Sequence, residues 1–249
     1  MRIALISDIH ANLPALEAVL AEIDADRTID TIYHLGDMVG YAPWPNEVVR
    51  LLHDRGIAGV AGNYDSTTAT HYKHCGCKYE DPRQEELSHM SYAWTLENTS
   101  DESKRILGAL PFRLDVRPHG GHAPGPRLIL VHGNPVLNTV YWTDDRPDSF
   151  SSEMAALAGA KKGDVIAFGH THKPWHKTID EIDFVNTGSV GRPKDGDPRA
   201  GYVVLDFDGK SSVSVEFRRV RYDVERTAGA IIESGLPDDF ADYLRNGGQ

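Results

Sequence analysis

Ile3-Ala4-Leu5-Ile6-Ser7-Asp8-Ile9-His10-Ala11-Asn12-Leu13 is the stretch that decides the fold. Ile3 to Ile6 reads as a buried strand that runs into polar residues. From Leu13 to Ala25 the apolar residues Leu13, Leu16, Val19, Leu20 and Ile23 fall at helical spacing. Thr31 to His34 repeats the pattern: a short strand, then Gly36-Asp37 and a turn rich in Gly and Pro. Asn46 is placed as the N-cap of a helix through His53, with Val48, Val49, Leu51 and Leu52 turned inward, and Ile57 to Val60 reads as a third strand. Strand, helix, strand, helix, strand implies parallel pairing and an α/β sheet.

Further along, Tyr64 to Pro82 is polar, holds both cysteines and has no period, so a loop or insertion is expected there. Pro82–Asn98 and Asp101–Leu110 read as helices. Leu114–Val116 and Leu128–Val131 read as strands around a Gly/Pro-rich connection, Pro118 to Pro126. A helix near Ser152–Ala158 precedes five strand signals, Val165–Phe168, Trp175–Ile179, Phe184–Asn186, Tyr202–Phe207 and Val213–Phe217. Asp208-Gly209 reads as a hairpin turn, and Val224–Ser234 as a closing helix. With no internal repeat and no linker, residues 1–249 are expected to form one domain of two packed sheets with flanking helices.

Composition narrows the function classes. The chain has 249 residues, 40% hydrophobic and 25% charged, which is ordinary for a globular protein. Its 26 basic and 37 acidic side chains leave a net charge of −11. That balance argues against wrapping long nucleic acid and against docking on an anionic membrane, both of which need a basic footprint. It does not exclude a small phosphorylated substrate, because a locally cationic site can sit in an acidic protein. No apolar run approaches the roughly 18 residues of a membrane span. Cys75 and Cys77, one residue apart, suggest no disulfide-built fold, so a cytoplasmic protein is expected. Composition leaves the oligomeric state open.

The chemistry sits at the strand ends, where open α/β sheets place their ligands. Asp8 and His10, Asp37, Asn63, His132, and His170 with His172 each follow a short apolar run and stand beside glycine or another small residue. Any one of them alone is commonly structural. Together they form a set of imidazole and oxygen donors suited to Zn, Mn or Fe. Seven donors are too many for one such ion and suit two that share a bridge, the arrangement that clamps both oxygens of an in-line displacement at phosphorus. Two dications (+4), Asp8 and Asp37 (−2) and a hydroxide (−1) leave a site of charge +1, which attracts phosphate.

Asp8-Ile9-His10, Gly36-Asp37-Met38-Val39-Gly40, Gly62-Asn63-Tyr64-Asp65, Val131-His132-Gly133 and Gly169-His170-Thr171-His172 resemble the sequence blocks of the calcineurin-like metallophosphoesterase superfamily. Asn186-Thr187-Gly188-Ser189-Val190-Gly191 is similar to a segment of its small bacterial and archaeal phosphodiesterase branch. The resemblance runs from Ile3 to about Phe207. It implies a four-layer αββα sandwich of two mixed sheets flanked by helices. It also implies two divalent transition-metal ions (Mn, Fe, Zn or Ni, with Mn favoured) and hydrolysis of phosphate esters by a metal-bridging hydroxide; the blocks are nearly silent on substrate, and phosphodiesters are the expected class. Asp8, His10 and His172 would hold the first ion, Asn63, His132 and His170 the second, and Asp37 would bridge. The catalytic set is expected to be Asn63, Tyr64 and Asp65.

Two positions depart from the family pattern. Ala11 stands where glycine is usual, which on sequence is a minor steric change. Tyr64 stands where many members carry a histidine that protonates the leaving group. A phenol stays protonated at neutral pH, so Tyr64 is expected either to contact the leaving side or to wall the pocket. Alternatives within the superfamily are a dinucleoside polyphosphate hydrolase or a protein phosphatase. A non-catalytic protein-binding scaffold of this fold is disfavoured by the complete ligand set.

Weaker signals remain. His71, His74, Cys75 and Cys77 could bind a further metal, or their loop could wall the pocket. Arg192, Lys194 and Arg199 could bind phosphate or form a salt-bridged surface with Asp195 and Asp197. Tyr41 and Trp44 could stack on a substrate ring or pack in the core. His34 is expected in the core, while His53, His89, His119, His122 and His176 are expected at the surface.

Overall fold

The computed structural model describes residues 1–77, 81–118, 125–207 and 213–248. In chain order the elements are β1 (Arg2–Ile6), α1 (Leu13–Ala25), β2 (Thr31–His34), α2 (Pro45–Asp54), β3 (Ala58–Gly59), α3 (Asn63–Ala69), α4 (Pro82–Asn98), α5 (Asp101–Gly108), β4 (Leu114–Val116), β5 (Leu128–Leu130), α6 (Asp148–Ala158), β6 (Val165–Phe168), β7 (Trp175–Ile179), β8 (Ile182–Asn186), β9 (Ala200–Phe207), β10 (Val213–Val220), α7 (Val224–Ser234) and α8 (Asp239–Arg245).

Two five-stranded sheets result, ordered β10-β9-β1-β2-β3 and β4-β5-β6-β8-β7. The first contains the expected parallel run β1–β2–β3, and antiparallel β9 and β10 extend it beyond β1. In the second, β5, β6 and β8 are parallel, and β4 and β7 pair antiparallel at the two edges. Side-chain alternation on the strands builds the layers. On β1, Ile3 and Leu5 face Leu128, Leu130, Val165 and Ala167 of the other sheet, while Ala4 and Ile6 face α1 and its neighbours. On β6, Ile166 and Phe168 turn the other way, onto Met154, Ala155 and Ala158 of α6 and onto Trp142. Trp142 lies flat on Phe168, ring centroids 4.4 Å apart. Helix, sheet, sheet, helix is the four-layer α/β sandwich.

Most differences from the sequence reading lie at element ends. Helix α2 begins at Pro45, not after Asn46, because proline is already shaped for the first helical position. The Asn46 side chain instead ties α2 to α5, bonding Asn98 O, Ser100 N and Ser103 Oγ. Strand β3 shrinks to two residues. The segment read as a loop from Tyr64 opens with a helix, α3, composed of weak helix formers. Tertiary burial of Asn63, Tyr64, Asp65 and Thr68 overrides that propensity, and the Ser66, Thr67 and Thr70 hydroxyls donate to carbonyls four residues back. Helix α8, not foreseen, is short and is held by buried Phe240, Ala241 and Leu244. The Asp208-Gly209 turn and residues 119–124 of the Pro118–Pro126 connection lie outside the described residues. No helix among the described residues is long and apolar enough to cross a membrane.

Candidate metal centre

The parallel strands of both sheets deliver their carboxyl ends to one place. The loops after β1, β2 and β3 bring Asp8 and His10, Asp37, and Asn63, and those after β5 and β6 bring His132, and His170 with His172. Backbone hydrogen bonds lock these loops together: Asp8 N to Gly36 O at 3.0 Å, His10 N to Asp37 O at 2.9 Å, and Gly169 N to His132 O at 2.9 Å. Asp8, His10, Asp37, His170 and His172 all adopt left-handed φ between 50° and 66°. Each such conformation costs a non-glycine residue about 1 kcal/mol or more and persists only where the surroundings over-determine it. Ala11 shares it at φ 54°, so glycine's usual presence there is a conformational matter, not the steric one expected from sequence. Gly62 and Gly169 are required for space, since a Cβ at either would collide with the carboxylate of Asp37 or Asp8.

Two groups of buried donors form. Asp8, His10 and His172 make one, Asp37, His132 and His170 the other, each with its donor atoms within 4.8 Å of one another. In the first, His10 Nε2 and His172 Nε2 are 3.1 Å apart, and Asp8 Oδ1 is 3.2 Å from His172 Nε2. Both Nδ1 atoms face backbone carbonyls, Val39 O at 3.0 Å and Arg192 O at 2.6 Å. A carbonyl only accepts, so each Nδ1 carries the ring proton and each Nε2 is a bare lone pair. Asp8 Oδ2 accepts from Ser7 Oγ and His170 N, whereas Oδ1 is buried with no donor at all. Three lone-pair atoms turned on one another, with no proton to share, are a cation's donor set, and a divalent ion fits it.

The second group converges in the same way. His132 Nδ1 donates to Leu35 O at 2.7 Å, and His132 Nε2 lies 3.1 Å from Asn63 Oδ1, 3.2 Å from His170 Nδ1 and 3.4 Å from Asp37 Oδ2. Asp37 Oδ2 is also 3.8 Å from His10 Nε2, so this one oxygen addresses both groups, while Oδ1 is held by Tyr64 N at 2.9 Å. Burial lowers His10 to about 3 and His170 to about 4, and places His172 well below its ordinary range. His132 behaves oppositely: burial would lower it, but Asp37 and Asp8 outweigh that and push it up to about 10. A proton on His132 answers the same excess of negative charge that a metal ion would.

The structure brings Asn63 into the centre, with its Nδ2 donating to Cys75 O at 3.0 Å and Cys77 Sγ at 3.3 Å. Tyr64 is buried, its ring among those of His10, Tyr41 and Tyr92 and its hydroxyl 3.4 Å from Ser88 Oγ. Asp65 is set behind the centre: its two oxygens accept from Met38 N and Gly62 N, both at 2.9 Å, so this carboxylate pins the loop after β2 to the start of α3. The cavity over the donors is narrow, about 10 Å³, and is walled by Tyr41, Tyr64, Cys77, Tyr141, Arg192 and Lys194. The loop carrying Cys77 therefore walls the pocket, and among the described residues His71, His74, Cys75 and Cys77 form no metal-holding group. Arg199 pairs with Asp197 at the surface, as the salt-bridge alternative has it. Tyr41 is buried beside His10, while Trp44 lies under Arg226, away from the cavity. His34 is buried in the core, and His53, His89 and His176 are exposed; His119 and His122 lie outside the described residues. Tyr141, whose ring is 4.4 Å from that of His170, escaped the sequence reading because it sits mid-loop with no motif around it.

A four-layer α/β sandwich with paired carboxylate–imidazole clusters at its strand ends defines a metal-dependent phosphoesterase. The chain belongs to the calcineurin-like phosphoesterase superfamily, whose domain model matches residues 1–210. It is 31% identical to the protein MJ0912 of Methanocaldococcus jannaschii, over 97% of this chain and 96% of that one. It is 27% identical to the phosphodiesterase YfcE of Escherichia coli, over 86% of this chain and 92% of that one. Among solved structures, the metallophosphoesterase of Sphaerobacter thermophilus is 30% identical with a TM-score of 0.76, covering 99% of this chain and 100% of that one.

Proposed function

We propose that this protein hydrolyses phosphodiesters at a dinuclear metal centre carried by a single domain. The observation that carries the reading is the donor geometry: two buried sets of converging imidazole and carboxylate donor atoms joined through Asp37 Oδ2. Asp8, His10 and His172 would hold one ion, Asn63, His132 and His170 the other, and Asp37 both. Mixed imidazole, carboxylate and amide oxygen donors suit a borderline ion, and manganese is the occupant we favour. Ions bound there would lower the pKa of a water molecule and polarise phosphoryl oxygens.

The remaining work belongs to the chain. The Nδ1–H bonds to Val39, Leu35 and Arg192 carbonyls aim three imidazoles, and Tyr64 N orients Asp37. Tyr41, Tyr64 and Tyr141 restrict water around the reacting group. The diesterase assignment draws support from the likeness to a phosphodiesterase and from Tyr64, which stands where a histidine would serve as proton donor. Assay of the manganese-, zinc- or iron-reconstituted protein on matched phosphomonoester, phosphodiester and pyrophosphate substrates tests it. Turnover of the diester is expected; activity on monoesters alone overturns the diesterase reading.

A further inference from the structure

We propose that Arg192 and Lys194 form a second anion subsite beside the metal centre, so that the natural substrate is a compact phosphate ester or anhydride carrying another phosphate or carboxylate near the scissile phosphorus. The proposal rests on the phosphoesterase reading above and specifies its substrate class.

Both cations line the same cavity as His10, Asp37, His170 and His172. Arg192 is only 6% exposed, yet among the described residues its guanidinium donates no hydrogen bond and meets no carboxylate. Its neighbours are aromatic: the guanidinium carbon lies 4.0 Å from the Tyr41 ring centroid and 5.5 Å from that of Phe240. The Lys194 ammonium likewise pairs with no acid among the described residues, and Lys173 and Arg192 stand near enough to act on it electrostatically. Among the described residues the other arginines withdrawn from the surface are paired: Arg2, Arg113, Arg127, Arg218 and Arg219 each sit on a carboxylate, in a chain where acids outnumber bases 37 to 26. Where carboxylates are plentiful, a buried cation left without one is a group whose partner arrives from outside.

The pair is also held rigidly relative to the metal donors. Gly191 N donates to Asp8 O at 3.0 Å, and Ser189 Oγ donates to Asp8 O at 2.7 Å while accepting from Arg192 N at 2.8 Å. Arg192 O takes the His172 Nδ1 proton. The turn that carries the fork is therefore bolted to two of the proposed ligands, and cation–π packing fixes the fork itself.

Charge arithmetic separates a second anion from the scissile group. Two divalent ions with Asp8, Asp37 and one hydroxide give +1, which one singly charged diester neutralises. Arg192 and Lys194 raise the total to +3 and leave two positive charges for a further anionic group. A guanidinium fork grips a phosphate or carboxylate through paired hydrogen bonds, with the ammonium as a point charge alongside. The cavity, about 10 Å³, lies far below the roughly 300–1,000 Å³ of drug-sized sites, so the second anion must sit close to the first.

The test is calorimetric titration of the metal-loaded protein with three non-hydrolysable ligands: methylphosphonate, 3-phosphonopropionate and ethylenebisphosphonate. Wild type is expected to bind at least one of the two-anion ligands about tenfold or more tighter than methylphosphonate, and the arm that gains distinguishes carboxylate from phosphate. Arg192→Gln and Lys194→Gln should abolish that gain while changing methylphosphonate affinity by less than about threefold. Equal loss for all three ligands means the pair grips the scissile phosphate and overturns the proposal, as does the absence of any gain in wild type. Metal content and near-ultraviolet circular dichroism confirm folding, and Lys194→Gln, at a partly exposed position, decides the matter should Arg192→Gln not fold. Binding needs no turnover, so failure of the phosphodiesterase reading appears separately, as absent hydrolysis with the binding series intact.

Discussion

His10 Nε2 and His172 Nε2 face each other at 3.1 Å, each deprived of a proton because its Nδ1–H is committed to a backbone carbonyl. Two lone pairs at that distance repel. The contact persists because strands β1 and β6 of different sheets bring the rings together, and it is relieved by a cation. The apoprotein thus stores unfavourable electrostatics that a bound ion removes.

Metal removal should consequently destabilise the protein. At metal concentrations 1,000-fold above the dissociation constant, binding contributes about 4 kcal/mol to the folded state. Chelation is expected to lower the melting temperature of wild type and to leave that of Asp37→Ala unchanged. Elemental analysis should find metal lost in Asp37→Ala and retained in Cys75→Ala. The reverse pattern would move the metal site to the cysteine loop.

Metal uptake should release a proton. His132 is raised to about 10, so at pH 7 it is protonated before metal binds, whereas His10, at about 3, and His170, at about 4, are already neutral. Binding to His132 must displace its proton, so affinity rises with pH through the neutral range, by about tenfold per unit for one proton. Calorimetry in buffers of different ionisation enthalpy counts the protons. Zero release would show that His132 is not a ligand.

Tyr64→Phe distinguishes a wall from a proton donor. With its hydroxyl against Ser88 Oγ and its ring among His10, Tyr41 and Tyr92, the wall role is expected, and rates on aryl and alkyl diesters should both stay within about threefold. A selective fall of about 100-fold on the alkyl ester alone would assign Tyr64 the leaving-group proton.

Asp65→Asn should act through stability. The amide can replace only one acceptor, leaving Met38 N or Gly62 N buried without a partner, at a cost of about 2 kcal/mol. Urea unfolding should show the loss. Full stability with a collapsed kcat would instead place Asp65 in the chemistry.

The α/β class, the parallel run β1–β2–β3 and the donor residues were legible because each depends on local pattern: short apolar runs, helical spacing from Leu13 to Ile23, and polar residues ending each strand. Helix α3 was not, since its Ser- and Thr-rich segment forms a helix only through what Asn63, Tyr64 and Thr68 bury. Helix α8 was too short to carry a period.

What the sequence by itself determined was therefore the inventory: which side chains stand at strand ends, in what order, and the family they resemble. Tertiary structure alone decided their assignment to positions in space. It turned Asp65 from the pocket onto two amides, set Tyr141 over His170, and left Arg192 without an acid among the described residues of a chain rich in acids. The physical reason is that hydrogen-bond direction, ring tautomer and charge pairing are fixed by contacts between residues more than a hundred positions apart, such as Asp8 with His170 and His10 with His172. Spacing along the chain carries no record of those contacts.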